Sequence, residues 1–203
     1  MSEKTLVIAC GALAHEITAL IKNNNWSHLK VQCLPADLHN TPQKIPDAVR
    51  QKIQLGRAQF KHIFVAYADC GTGGLLDKVL QEEKIERLPG AHCYATYAGQ
   101  QDFEAMAEEE LGTFYLTDFL ARHFERLIMH GMGLNKHPEL LPLMFGNYTR
   151  LVYLAQRPTP ELQVRAEAAA ASLGLHYIYR NTGYGELADE LRTTAEHTIQ
   201  WQN

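Results

Sequence analysis

One stretch of the chain decides the fold: Ile63-Phe64-Val65-Ala66-Tyr67-Ala68-Asp69-Cys70-Gly71-Thr72-Gly73-Gly74. Its apolar first half is typical of a buried strand, and its glycine-rich second half predicts a tight turn. A helical spacing of apolar residues follows over Leu75–Glu83. A buried strand, a glycine turn and a helix in this order are typical of a parallel α/β sheet, whose ligand sites lie at the carboxyl ends of its strands.

The same alternation extends along the chain in both directions. Strands are predicted at Thr5–Ala9, Leu29–Leu34, His62–Ala66, Glu86–Leu88, Arg150–Ala155 and His176–Tyr179. Helices are predicted at Ala12–Asn23, Thr41 to about Phe60, Leu75–Glu83, Gln101–Leu111, Phe119–Met129, Pro138–Phe145, Pro160–Leu173 and Tyr184–Glu196. We therefore predict a single α/β domain over residues 1–203, with a doubly wound, mostly parallel, Rossmann-like sheet. The block at about 95–148 is predicted to be a helical insertion or cap over the carboxyl edge of that sheet.

Composition and the first residues narrow the class of protein. The net charge is −4, and the basic excess expected of a protein that binds nucleic acid or an anionic membrane is missing. No apolar run reaches the length needed to span a bilayer. Met1-Ser2-Glu3-Lys4 leads into a strand-like run without the pattern of a signal peptide. We therefore predict a cytoplasmic protein whose cysteines are reduced.

Three of the four cysteines are predicted to gather at one edge of the sheet. Cys10 and Cys70 follow apolar runs, and Cys93 comes directly after His92 in a later loop. The carboxyl ends of parallel strands lie along the same edge, and zinc prefers thiolate and imidazole ligands. The pattern predicts a zinc site formed by Cys10, Cys70 and Cys93, with His92 or His39 as the fourth ligand.

The glycine turn is predicted to contact an anionic group. Backbone N–H groups of Gly71, Thr72 and Gly73 precede a helix, where they can bind an anion and lower the pKa of Cys70. Gly183 follows the last strand and is assigned to the same kind of contact. Neither a Walker motif nor a dinucleotide fingerprint is present. A tight strand-to-helix turn without a ligand is the alternative.

Further candidates could move protons or orient ligands. Glu16 lies six residues after Cys10 in the first helix, Asp69 precedes Cys70, and His39 follows the second strand. The alternative for Glu16 is a solvated helix residue, and for His39 a surface polar residue. Cys33 lies inside the second strand and is predicted to be a small buried apolar side chain.

Several segments together resemble the domain-of-unknown-function family 1638. They are Ile8-Ala9-Cys10-Gly11-Ala12-Leu13, Leu38-His39-Asn40-Thr41-Pro42, Tyr67-Ala68-Asp69-Cys70-Gly71-Thr72-Gly73, Pro89-Gly90-Ala91-His92-Cys93-Tyr94 and Gly112-Thr113-Phe114-Tyr115-Leu116-Thr117-Asp118-Phe119. Many relatives read P-R-x-H-D-C in the fourth segment, whereas His92 and Cys93 are adjacent here. The family carries no settled activity, but similar proteins often lie near genes for corrinoid-dependent methyl transfer. The resemblance therefore implies a corrinoid methyltransferase as partner, with the corrinoid or a folate carried by that partner.

Three functions stay open. The first is a zinc-dependent transferase or lyase of one-carbon metabolism, acting on a small anionic or thiol-containing substrate. The second is a metal-free racemase or lyase with facing cysteines as acid and base, since Ile8-Ala9-Cys10 faintly resembles the pattern of aspartate/glutamate racemases. The third is an accessory protein that holds a metal or a corrinoid for a methyltransferase. The substrate and the oligomeric state do not follow from the sequence.

Overall fold

The computed structural model describes residues 2–200, and the chain divides into two compact units. The first unit comprises residues 2–96 and 184–200, and the second comprises residues 97–183. In the described residues, each unit has one three-stranded parallel sheet with helices around it. The expected α/β class with parallel strands is confirmed.

The strands and helices follow one another as the alternating pattern predicts. The strands are β1 (Ser2–Cys10), β2 (Leu29–Leu34), β3 (Phe60–Ala66), β4 (Thr113–Thr117), β5 (Arg150–Ala155) and β6 (His176–Asn181). The helices are α1 (Ala14–Asn23), α2 (Ile45–Gly56), α3 (Leu75–Glu83), α4 (Cys93–Ala98), α5 (Gln100–Glu109), α6 (Asp118–Phe124), α7 (Leu141–Phe145), α8 (Pro160–Leu173) and α9 (Glu186–Gln200). Short 3₁₀ helices lie at Gly11–Leu13, Ala36–Asn40, Pro42–Lys44 and Pro138–Leu140, and a π-helical segment lies at Glu125–His130.

The first unit is built around β1. Its sheet has the order β2-β1-β3, with β1 paired in parallel to both neighbours. Leu6, Val7, Ile8 and Ala9 of β1 are all fully buried. Such burial is typical of a strand whose two faces are both covered by helices. Because all three strands run in the same direction, their carboxyl ends meet at one edge.

The second unit has its own core and its own buried polar cluster. Its sheet has the order β4-β5-β6. Asp118, fully buried at the start of α6, accepts hydrogen bonds from the Tyr153 hydroxyl at 2.7 Å and from the backbone N–H groups of Gln156 and Arg157 at 3.1 and 2.8 Å. These bonds tie the carboxyl end of β4 to that of β5.

Capping residues mark the end of one predicted helix and the start of another. The helix predicted at Pro160–Leu173 is α8, and Gly174 ends it in a left-handed conformation with φ of +71°. Thr117 caps α6 by accepting a hydrogen bond from the Leu120 N–H group. The helix predicted at Phe119–Met129 is instead α6 followed by the π-helical segment.

Three features differ from the predictions. The strands predicted for one sheet lie in two, because β4 pairs with β5 and not with the strands of the first unit. The block predicted to be helical contains β4. Cys33 was predicted to be buried, and this was wrong: β2 is an edge strand and the Cys33 side chain is exposed. A single domain with an insertion at residues 95–148 stays a prediction.

Within residues 2–200, no helix combines the length and the apolar character needed to cross a membrane.

Candidate functional site

The carboxyl edge of the sheet in the first unit brings together residues that lie far apart in the sequence. Cys10 ends β1 and pairs with Leu34, the last residue of β2. His39 lies in the 3₁₀ helix that follows β2, and Tyr67 and Cys70 follow β3. The strand order reverses at β1, since β2 lies on one side of it and β3 on the other. Ligand sites of open α/β sheets lie at such reversals.

Cys10 is held by the turn that follows it. Its thiol is 2% exposed and accepts a hydrogen bond from the Ala12 N–H group at 3.3 Å, which caps the 3₁₀ helix Gly11–Leu13. A Cβ atom at Gly11 would lie 3.0 Å from the carbonyl oxygen of Leu34. Glycine at this position therefore lets the end of β1 approach the end of β2.

His39 lies beside two of the cysteines. Its Nδ1 atom is 3.1 Å from the Ala36 carbonyl oxygen and 3.7 Å from the sulfur of Cys10. Because a carbonyl oxygen can only accept, Nδ1 carries the hydrogen in that contact. Burial would lower the pKa of His39, but the neighbouring sulfurs of Cys10 and Cys70 raise it to about 11. The two sulfurs therefore favour the protonated form of the imidazole.

The thiols of Cys70 and Cys93 shift each other's pKa in opposite directions. A hydrogen bond from the Cys93 thiol lowers the pKa of Cys70; burial opposes this, and His39 adds to the lowering. The same bond raises the pKa of Cys93, because Cys93 would lose it on giving up its proton. Of the two thiols, Cys70 therefore loses its proton at the lower pH.

The N–H groups of the glycine turn were predicted to bind an anionic group of a ligand, but groups of this turn donate to the carboxylate of Asp69. The Asp69 carboxylate accepts hydrogen bonds from the Thr72 hydroxyl at 2.5 Å and from the N–H groups of Gly73 and Gly74 at 3.1 and 2.9 Å. Burial raises the pKa of Asp69, but these hydrogen bonds outweigh it and lower the pKa overall. The pKa of Cys70 is lowered as expected, but by Cys93 and His39 rather than by the N–H groups of the turn.

The remaining candidates lie in other surroundings. Glu16 is 4% exposed in the first turn of α1. His92 is exposed, and its ring centroid lies 6.3 Å from that of Tyr94. Gly71 has a φ of +81° in the turn next to Cys70. Gly183 belongs to the second unit, where its N–H group donates to the Ala155 carbonyl oxygen at 3.2 Å. Their functional roles stay predictions.

Tyr67 belongs to this site, although the sequence predicted no role for it. It is fully buried, and its ring lies nearly parallel to that of His39, with centroids 6.4 Å apart and an interplanar angle of 14°. Burial and the neighbouring Cys10 sulfur raise the pKa of its hydroxyl. Its position at a strand end, three residues before Cys70 and at the start of one of the segments that carry the family resemblance, is the sequence signal that could have indicated it.

The site as a whole is a cluster of three thiols, one imidazole and one phenol. We name Cys10, His39, Tyr67, Cys70 and Cys93 the thiol cluster. Among residues 2–200, no three His, Cys, Asp or Glu side chains already converge in the geometry of a metal site. The cluster can hold a negative charge on sulfur, stabilised by a cationic imidazole, and it offers the ligand types that soft divalent metals prefer.

A family model described as "Protein of unknown function (DUF1638)" matches residues 33–191. The chain belongs to this family. The matched range includes His39, Tyr67, Cys70 and Cys93 of the thiol cluster, and Cys10 lies before it. No curated protein and no solved structure matches the chain. The DUF1638 assignment therefore agrees with the resemblance in the sequence motifs and brings no activity with it.

Proposed function

We propose that this DUF1638 protein binds a thiophilic divalent metal, zinc above all, through Cys10, Cys70, Cys93 and His39. The observation that carries the proposal is the distance of 3.7 Å between the sulfur of Cys10 and Nδ1 of His39. With Zn–S bonds of about 2.3 Å and Zn–N bonds of about 2.0 Å, neighbouring ligand atoms on a tetrahedral zinc stand about 3.6 Å apart. Metal binding would displace the hydrogen that Nδ1 donates to the Ala36 carbonyl oxygen, and its favourable free energy would turn the remaining thiols toward the ion.

Metal analysis of the purified protein tests this proposal. The wild type should hold about one zinc ion per chain after dialysis, and Cys10→Ser, Cys70→Ser and Cys93→Ser should each lose it. Cys33→Ser is the matched control, because Cys33 is exposed on the edge strand and outside the thiol cluster. His39→Ala should weaken binding, whereas His92→Ala should not. A wild type that binds no zinc, or cysteine variants that bind as well as the wild type, would overturn the proposal.

We propose one-carbon chemistry on a small anionic or thiol-containing substrate as the use of this metal. Bound zinc supplies a Lewis acid that lowers the pKa of a coordinated thiol or water. The family resemblance is the support for a corrinoid- or folate-carrying partner. The test is to mix the zinc-loaded protein with methylcobalamin and a small thiol and to follow cob(I)alamin by absorbance. If no methyl group is transferred but the protein co-purifies with a corrinoid methyltransferase, the accessory function is favoured instead.

One observation favours a second candidate, a metal-free thiol enzyme. Nδ1 of His39 is 3.7 Å from the sulfur of Cys10, and both Cys10 and Cys70 raise the pKa of His39, so a proton could pass between a thiol and the imidazole. A racemase or lyase with Cys10 and Cys70 as acid and base would exchange the α-hydrogen of its substrate with solvent. Deuterium incorporation into amino or hydroxy acids, measured with a chelator present, separates this candidate from the metal enzyme. An absence of exchange would count against it.

We also propose that the first unit is doubly wound and Rossmann-like, which limits to this unit the sheet that the sequence predicts for a single domain over residues 1–203. The order β2-β1-β3 and the complete burial of β1 support this. An experimental structure of the protein tests it, because helices α1 and α2 must then cover opposite faces of the sheet.

A further inference from the structure

One buried group of the thiol cluster has no role in the proposed metal site. The Tyr67 side chain is fully buried, and its hydroxyl has no hydrogen-bond partner at the usual distances and angles in the described part of the chain. Buried tyrosine hydroxyls usually have such a partner, because an unsatisfied donor lowers the stability of the folded state. The buried Tyr67 hydroxyl therefore lowers the free energy of unfolding of the metal-free protein.

The surroundings of Tyr67 indicate where the missing partner lies. The Tyr67 ring stacks on the imidazole of His39 at a centroid distance of 6.4 Å, and Nδ1 of that imidazole is 3.7 Å from the sulfur of Cys10. This sulfur also raises the pKa of the Tyr67 hydroxyl. A neutral thiol is only a weak acceptor of hydrogen bonds, whereas a thiolate is a charged and much stronger one. Metal binding requires the ligand cysteine to be deprotonated. The weak acceptor beside Tyr67 then becomes a strong one.

We propose that the Tyr67 hydroxyl donates a hydrogen bond to the Cys10 thiolate when the metal is bound, so that Tyr67 is a positioning residue of the metal site. This inference rests on the proposed metal binding and deepens it. Groups that hydrogen-bond to metal ligands orient them and tune their donor strength, and replacing such groups weakens metal affinity. The hydroxyl that is unsatisfied in the metal-free protein is satisfied in the loaded one.

The test compares Tyr67→Phe with Tyr177→Phe, using cobalt(II) alone as the probe. Tyr177 is the matched control, because its hydroxyl is also buried without a hydrogen-bond partner but lies in the second unit. Tyr67→Phe should bind cobalt about 10- to 100-fold more weakly than the wild type. Its sulfur-to-cobalt charge-transfer band should move to longer wavelength, because a thiolate without the hydrogen bond gives up an electron more readily. Tyr177→Phe should match the wild type in both measurements.

A second readout needs no metal. Both variants should unfold at a higher urea concentration than the wild type when metal-free, because each removes an unsatisfied buried donor. If metal-free Tyr67→Phe is less stable than the wild type, its hydroxyl already has a partner, and the inference is overturned.

The outcomes with cobalt separate the two proposals. If the wild type binds no cobalt, both the proposed function and the role of Tyr67 fail. If the wild type binds cobalt and Tyr67→Phe binds it equally well, only the role of Tyr67 fails. If Tyr67→Phe binds cobalt more weakly but its charge-transfer band does not shift, altered packing explains the weaker binding, and the inference is overturned as well.

Discussion

Cys70 combines an unusual backbone conformation with an unusually acidic thiol. Its φ of +52° lies in the left-handed region, which a residue with a side chain seldom adopts. The Cys93 thiol and the His39 ring both lower the pKa of its thiol. Strained backbone positions persist where the surrounding structure holds them, and they are found preferentially at functional sites. The two features can be tested separately.

The thiol chemistry gives the first prediction. In the metal-free protein, Cys70 should react with iodoacetamide at lower pH than Cys33, because its pKa is lowered by Cys93 and His39, whereas burial and the Cys10 charge raise the pKa of Cys33. The thiolate is the reactive form, so a lowered pKa moves the rise in rate to lower pH. The rates can be measured for each cysteine by peptide mass spectrometry and scaled to their own plateau. Cys93→Ala should move the Cys70 profile to higher pH; coinciding profiles of Cys70 and Cys33 in the wild type would contradict the prediction.

The backbone conformation gives the second prediction. Cys70→Gly should be more stable than Cys70→Ala by about 1 kcal/mol, because glycine adopts a positive φ without steric cost. Urea unfolding of the metal-free variants measures the difference. Cys33 is the control position: it lies in β2, where glycine should be less stable than alanine by about 0.5–1 kcal/mol. If the alanine variant is more stable than the glycine variant at both positions, the positive φ of Cys70 does not determine the difference in stability, and the prediction is contradicted.

At the scale of elements, one arginine connects α3 to the segment that leads to Cys93. The guanidinium of Arg87 binds both carboxylate oxygens of Asp77 at 2.6 and 3.0 Å and donates to the carbonyl oxygens of Leu88 and Gly90 at 2.6 and 3.1 Å. The Gly90 carbonyl oxygen also accepts from the backbone N–H group of Asp69, next to Cys70. Arg87 therefore fixes the loop between Leu88 and Cys93 against the glycine turn.

Arg87→Lys is expected to loosen this loop. Lysine cannot form the bidentate pair with Asp77 while donating to two carbonyl oxygens, and the loss should lower the free energy of unfolding by about 1–3 kcal/mol. Zinc affinity should fall as well, because the loop positions Cys93. Arg57→Lys is the control: the Arg57 side chain is 49% exposed, against 17% for Arg87, and its replacement should change stability by less than about 1 kcal/mol. Urea unfolding and zinc titration measure both effects; an Arg87→Lys protein as stable as the control would contradict the role of this loop.

The elements also indicate what a sequence can predict. The strands β1 and β3 were predicted because each contains a continuous apolar run, and the rule that strand ends share an edge placed Cys10 and Cys70 together. The strand β4 was missed because Thr113-Phe114-Tyr115-Leu116-Thr117 mixes polar and aromatic residues without a clear apolar period. The roles of Asp69 and Tyr67 depend on which side chain faces which across the fold. Such tertiary contacts leave no periodic signal in the sequence.

For the whole molecule, the two units have separate cores and separate polar clusters. The thiol cluster lies in the first unit, and the buried carboxylate of Asp118 lies in the second. The hydrogen bonds to Asp118 come from its own unit, through the Tyr153 hydroxyl and the backbone of Gln156 and Arg157. The residues that would bind the metal therefore lie in the first unit, whereas the hydrogen bonds of Asp118 stabilise the second.

The last prediction uses this division. Asp118→Asn should lower the free energy of unfolding by about 3 kcal/mol, because one of the two carboxylate oxygens becomes an NH2 group that faces the N–H donor of either Gln156 or Arg157 and leaves buried groups unsatisfied. Zinc stoichiometry and affinity should stay at wild-type values, since the proposed ligands all lie in the first unit. Urea unfolding and zinc analysis of the same preparation measure both quantities. If Asp118→Asn lost zinc while keeping its stability, the metal ligands could not be confined to the thiol cluster, and the second unit would have to contribute to binding.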